Sequence, residues 1–138
     1  MRYLSVIVFL FLVSNAFAEE LKVADKATYQ VKIVQTMEEK LKGLMFVKKL
    51  PENQGMLFDF RGYSSVAMWM KNTYISLDML FIDCNFKVAD MHQNATPLSL
   101  EKISTDKPFC FVLEINGGQV LKQNISIGDK ITVSLPEN

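Results

Sequence analysis

Gly55-Met56-Leu57-Phe58-Asp59-Phe60 and Leu77-Asp78-Met79-Leu80-Phe81-Ile82-Asp83-Cys84 are the stretches whose reading decides the fold. Pro51-Glu52-Asn53-Gln54 precedes the first as a turn, and Asn85 follows the second as another. A short apolar run between turn signals reads as a strand buried on both faces. Phe109 to Ile115 is a third such run, apolar throughout except for Glu114. The β-type pattern from Gly55 to Phe86 is too continuous to hold the helices of repeated βαβ units.

Working outward, Tyr29, Val31 and Ile33 alternate with Gln30 and Lys32, the mark of a half-buried strand. Thr36 then predicts a helix N-terminus, because Glu39 stands three residues on and can complete a capping box. The helix is expected over Met37 to Met45, with Met37, Leu41, Leu44 and Met45 as its apolar stripe and Gly43 in or at the end of it. Arg61 to Ser65 reads as a loop, Val66 to Met70 as a strand, and Phe86 to Met91 as a hairpin partner of the preceding strand. Gln93 to Pro108 is a long polar loop, Gln119 to Asn124 one helical turn, and Lys130 to Leu135 a last strand after the turn at Ile127-Gly128-Asp129. Roughly eight short strands with close-spaced turns and one short helix predict a mainly β protein, a single antiparallel β-sandwich or partly closed barrel.

At the amino terminus, Arg2 is followed by an apolar run from Tyr3 to Val13 broken only by Ser5, and then by Ala16-Phe17-Ala18. Positive start, apolar centre and small-x-small junction occur in the order of a cleavable signal peptide. The run is about half the roughly twenty residues a membrane-spanning helix needs. The expected organisation is a signal peptide over residues 1–18 and a single β-rich domain over 19–138, secreted or periplasmic, with no membrane span after cleavage. Removing residues 1–18 removes Arg2 and no acidic side chain, which leaves 14 basic and 15 acidic groups. Nucleic acid is excluded as a partner, since no basic stripe is present to hold phosphates.

The segment densest in unusual residues is Met68-Trp69-Met70-Lys71-Asn72-Thr73, followed by Asp78. With a period of two, Val66, Met68 and Met70 face the core while Ala67, Trp69 and Lys71 point away. An aromatic face beside an ammonium, an amide and a carboxylate suits a small-ligand surface, with Trp69 stacking and Lys71, Asn72 and Asp78 fixing polar groups. The alternative is structural, with Trp69 filling the core and Asn72-Thr73 forming a side-chain-stabilised turn. Glu114 needs either a partner, for which Lys71 and Arg61 are candidates, or an opening to solvent, because a buried unpaired carboxylate costs several kcal/mol. The ligand-binding candidates are therefore Trp69, Lys71, Asn72, Asp78 and Glu114.

Cys84 and Cys110 end one apolar strand and start another. They are either a disulfide of an oxidising compartment or two small buried hydrophobes. His92 is the sole histidine, so any nucleophile–histidine pair must use it, and no Gly-x-Ser-x-Gly elbow is present. Two cysteines and one histidine without ligand spacing argue against zinc, and no cofactor motif is present. Thioether and imidazole ligands suit Cu(I), which makes Met68, Met70, Met91 and His92 an alternative metal set, although no Met-x-x-Met tract gathers the sulfurs.

Gly43-Leu44-Met45-Phe46, Gly55 to Phe60, Met68 to Thr73, Leu77-Asp78 and Phe81-Ile82 occur in the order of one family. With Val112-Leu113-Glu114, Gly118 and Ile127-Gly128-Asp129, the chain resembles the bacterial and archaeal family called domain of unknown function 192, over essentially all of residues 19–138. The resemblance implies a small single domain of mainly antiparallel strands, often behind a signal peptide, and implies no activity. Val47 stands where the family usually has Arg, and Ser76 where Pro often precedes Leu-Asp. If that Arg pairs with Glu114 or Asp78 in relatives, this chain must use Arg61, Lys48 or Lys71. The cysteines lie outside the motif.

The expected function is a non-catalytic binding or accessory module of the cell envelope, taking a small molecule, a glycan or an envelope protein. Cu(I) binding is the alternative from another class. An enzyme using Asp78 or Glu114 as acid or base is a third. Amino-terminal sequencing of the protein from an expressing bacterium should begin at Glu19; a cytosolic product still starting at Met1 would reject export.

Overall fold

The computed structural model describes residues 17–137, so most of the expected signal peptide lies outside the described residues. Seven strands and two short helices follow in the order β1 (Glu19–Val23), β2 (Ala27–Val34), α1 (Met37–Lys42), β3 (Gln54–Asp59), β4 (Leu77–Ile82), β5 (Val88–Ala95), β6 (Phe111–Asn116), α2 (Gln119–Lys122) and β7 (Ile131–Val133). All seven strands join one sheet in the order β5-β4-β6-β3-β2-β1-β7. Neighbours are antiparallel except β2 and β3, which run parallel with Val31 opposite Gly55. The sheet is therefore mixed, because the chain from β2 to β3 crosses over through α1 instead of a tight turn.

The two edge strands nearly meet. Lys87, just before β5, bridges Lys130, just before β7. The Ile131 amide donates to the Phe86 carbonyl at 2.8 Å, and the Val88 amide to the Asp129 carbonyl at 2.9 Å. These bonds satisfy part of the edge that an open sheet would leave unpaired. The expected mainly β, partly closed barrel is the architecture found.

Two apolar layers lie on the two faces of the central strands. One contains residues from every strand, among them Leu21, Tyr29, Leu57, Leu80, Leu113 and Ile131, and so fills the barrel; Val120 of α2 and Ile125 close its end. The other covers the outer face of β3, β6 and β4, where Phe58, Phe81 and Val112 pack under Met68, Met70 and Ile103 from the long loops. All six residues of β4 are buried, as are five of the six in β3 and in β6. Burial on both faces explains the unbroken apolar runs, since neither face needs polar residues for water. At Gly55 the close packing is visible directly: a Cβ there would sit 2.7 Å from the Glu114 carbonyl oxygen and 2.9 Å from Ile115 Cγ2.

Three local expectations change. Val66 to Met70 forms no strand beyond the Met68–Ile103 bridge, because it crosses over the outer layer instead of extending the sheet. β1, unread in the sequence, is a strand with only Leu21 and Val23 buried, too few for a periodic signal. α1 stops at Lys42. The Thr36 hydroxyl caps it by accepting from the Glu39 amide at 3.2 Å, and Gly43 ends it at φ 48°, ψ −128°. That backbone conformation is open essentially to glycine alone. Met37 and Leu41 are exposed on its surface instead of buried in the core.

Cys84 and Cys110 form a disulfide, with Cα atoms 5.0 Å apart and a sequence separation of 26. Closing a loop of that length stabilises by about 3 kcal/mol in the chain-entropy picture. Replacing both cysteines by Ala should lower the midpoint of thermal unfolding by about 10 °C while the folded circular-dichroism spectrum persists. An unchanged midpoint, or free thiols in non-reduced peptide mass spectra, would remove the cross-link.

Candidate functional site

A recess of about 250 Å³ opens on the outer face, between α1 with the turn after it and the segment from Tyr63 to Lys71. Leu44, Phe58, Phe60 and Met68 are among the apolar residues of its wall, and the buried Glu114 lies at its floor. Glu114 reaches this position through strand register. It stands opposite Met56 of β3 and Met79 of β4, so all three point to the outer layer, where a continuing strand would place another apolar side chain.

Glu114 is 4% exposed, and no hydrogen bond or ion pair to its carboxyl exists among the described residues. Burial pushes its pKa up to about 8, which favours the neutral acid at neutral pH. Gly43 leaves the approach to it open. A Cβ on Gly43 would lie 3.3 Å from Phe58 Cζ and 3.8 Å from Glu114 Oε1.

The expected alternation around Trp69 holds: Met68 and Met70 are buried, while Ala67, Trp69 and Lys71 are exposed. Trp69 is 41% exposed and lines the recess, so it does not fill the core. The Lys71 ammonium lies 5.0 Å from its ring centre, and the Lys40 ammonium 4.1 Å from that of Tyr63. Trp69, Lys71 and Glu114 thus come together. Asn72 lies beside them in a turn, with φ 52°, its carbonyl accepting from the Phe46 amide at 2.9 Å. Its role there is backbone geometry, which Asn tolerates better than most residues.

Asp78 does not join the site. Paired with Ile115, it faces the barrel interior, one sheet thickness from the Glu114 side. Its carboxylate accepts from the Val120 amide at the start of α2 and from the Asn94 amide, both at 2.8 Å. Neither expected partner pairs with Glu114. Arg61 is held by Asp59, with Nη2 to Oδ2 at 2.6 Å and Nε to Oδ1 at 3.0 Å. Burial would raise the Asp59 carboxyl, but its bonds from the Arg61 side chain and amide and from Gln35 hold it below the ordinary range. Val47, at the departure from the family pattern, packs against the outer layer.

The alternative copper set is dispersed. Met68 and Met70 belong to the outer layer, Met91 packs against the barrel interior, and His92 is exposed on β5. Sulfurs on opposite faces of a sheet cannot share one ion. Among the described residues no cluster of three or more His, Cys, Asp or Glu could hold a metal. The disulfide also removes both thiols from any pairing with His92.

Sequence reasoning missed the α1 side of the recess, namely Met37, Lys40, Leu41, Lys42 and Gly43. Its signal was present as the apolar stripe of a very short helix, but the stripe lines an opening instead of sealing a core.

No curated protein matches this chain in sequence. Two solved structures share its fold. One is a protein of unknown function from Novosphingobium aromaticivorans DSM 12444, 31% identical, with a TM-score of 0.78 over 82% of this chain and 83% of that one. The other, from Sinorhizobium meliloti 1021, is described as a "putative transcription regulator"; it is 34% identical, with a TM-score of 0.80 over 83% of this chain and 92% of that one. The model of the domain of unknown function 192 family, described as "Uncharacterized ACR", matches residues 19–133. From this match over most of its length, the chain belongs to the domain of unknown function 192 family.

Proposed function

We propose that this chain is a binding module of the cell envelope, exported by residues 1–18, that holds a small ligand in the recess floored by Glu114 and flanked by Trp69 and Lys71. The observation that carries the reading is a buried carboxyl with no partner among the described residues, lining the recess beside Leu44, Phe58, Phe60 and Met68. Burying such a group costs several kcal/mol and contributes nothing to the core, whereas a ligand group bonded to it would offset that cost. The recess is slightly below the range of roughly 300–1,000 Å³ common for small-molecule pockets, which fits a compact ligand. The disulfide supports an oxidising compartment, and no described helix is long and apolar enough to cross a membrane. The charge balance carries no basic surface for nucleic acid, so the regulator description of the one relative is not extended to this chain.

The raised pKa of Glu114 favours acid–base chemistry as a second reading, since about 8 lies near working pH. Asp78 is unsuited to that role because its carboxylate is bound to two backbone amides.

Trp69 is the only tryptophan, so its emission reports on the recess alone. A panel of monosaccharides, dipeptides and small amines should contain compounds that shift this emission saturably. Ala67→Phe, at an exposed lining position, should weaken them at least about tenfold. If no compound shifts the emission, or Ala67→Phe leaves the affinities unchanged, the recess is not a ligand site.

The pH dependence has a definite sign. The native state holds the Glu114 proton up to about 8, against 4.5 for the ordinary group, so it binds more protons than the unfolded chain between those values. Stability contributed by the neutral acid is therefore lost as pH rises through that window. Glu114→Gln should flatten the decline in unfolding midpoint and exceed the wild type by about 5 °C near pH 8. Parallel profiles for the two proteins would show that Glu114 is ionised throughout.

A further inference from the structure

The charged side chains lining the recess are Lys40, Lys42, Lys71 and Glu114, and their arrangement has a direction. Glu114 is buried at the floor, whereas Lys42 and Lys71 are exposed and Lys40 is partly exposed at the mouth. None of the three lysines forms an ion pair among the described residues. Two rest on aromatic rings instead, Lys40 on Tyr63 and Lys71 on Trp69. Leu44, Phe58, Phe60 and Met68 supply apolar wall to the same recess, with Ser65 and Thr73 as its uncharged polar lining. Among the described residues, Glu114 is the only acidic group lining the recess, and Tyr63 is the only other titratable one besides the lysines.

We infer that the recess takes a short amphoteric ligand, with a protonated amine against Glu114, an apolar spacer along the wall and an anionic group among Lys40, Lys42 and Lys71. The inference rests on the reading of the recess as a ligand site. Each end follows from groups that have no ion-pair partner among the described residues. A buried carboxyl regains the cost of ionising when a cation bonds to it directly, which a hydroxyl does only in part. At the mouth, three cations without carboxylates repel a simple amine and attract an anion. An amine alone meets the wrong sign on entry, and an anion alone leaves Glu114 unpartnered.

The acid–base state of the floor adds a signature. An amine binds Glu114 as carboxylate, so binding below about pH 8 releases its proton. Affinity should rise about tenfold per pH unit up to that point and then level, while an alkylammonium stays protonated throughout.

Titration of Trp69 emission with 6-aminohexanoate, hexanoate and hexylamine tests this on the intact protein. The amino acid should bind at least about tenfold more tightly than either single-ended analogue, with the stated rise in pH. Glu114→Gln should remove the pH dependence and reduce 6-aminohexanoate to the level of hexanoate. The double substitution Lys40→Ala, Lys71→Ala should reduce it to the level of hexylamine, with unfolding midpoints confirming that each variant is folded. Equal affinity for hexanoate and 6-aminohexanoate, a pH-independent wild type, or no response to any of the three would overturn the inference. If other compounds still bind in the manner blocked by Ala67→Phe, the recess remains a ligand site of different chemistry. If they do not, the site itself is rejected.

Discussion

Three strands, β3, β6 and β4, are buried on both faces, and the rest of the molecule depends on that constraint. A sheet that curls nearly shut has one face inside by construction. Here the other face of its central strands is also apolar, through Met56, Phe58, Met79, Phe81 and Val112. Those residues would form a large exposed patch unless something covered them. The long connections between strands, including Met68, Met70 and Ile103, are that cover, and α1 with Leu44 is its remaining edge.

A cover made of loops and one helix of six residues cannot close as tightly as a second sheet. Its seam falls between the end of α1 and Trp69, and Glu114 lies beneath it. The single polar interruption of β6 thus occurs where the outer layer is incomplete. Gly43 keeps the gap open, because its backbone conformation excludes a side chain that would otherwise press on Phe58 and approach the Glu114 carboxyl. Asp59 and Asp78, the other buried carboxylates, show what structural acids look like in the same sheet. One is clasped by Arg61, the other accepts two backbone amides at a helix start, and both are fully occupied by the fold. Glu114 differs from them in having no hydrogen-bond or ion-pair partner among the described residues.

The same two-layer organisation disperses the methionines. Met residues fill irregular space well because their side chains are unbranched and flexible. In this chain they do so on both sides of the sheet, with Met56, Met68, Met70 and Met79 in the outer layer and Met91 against the inner one. An abundance of thioethers in sequence therefore does not amount to a shared ligand set.

Much of the fold was legible from residues 29 to 60 and 77 to 115, because apolar runs bounded by turns allow few alternatives to buried strands. The capping box at Thr36 and Glu39 likewise marked the start of α1 locally, and the period of two separated Met68 and Met70 from Trp69 and Lys71. Glu114 stood out for the same reason, as a charge in an apolar run. What the sequence by itself could not determine is which groups face one another. Strand pairing put Glu114 and Asp78 on opposite faces, a distinction that depends on register between distant segments. The parallel β2–β3 pair, the lysines of α1 at the mouth of the recess and the Arg61–Asp59 clasp are likewise decided by long-range packing. Local periodicity tells which way a side chain points from its own strand or helix; only the tertiary structure decides what it meets there.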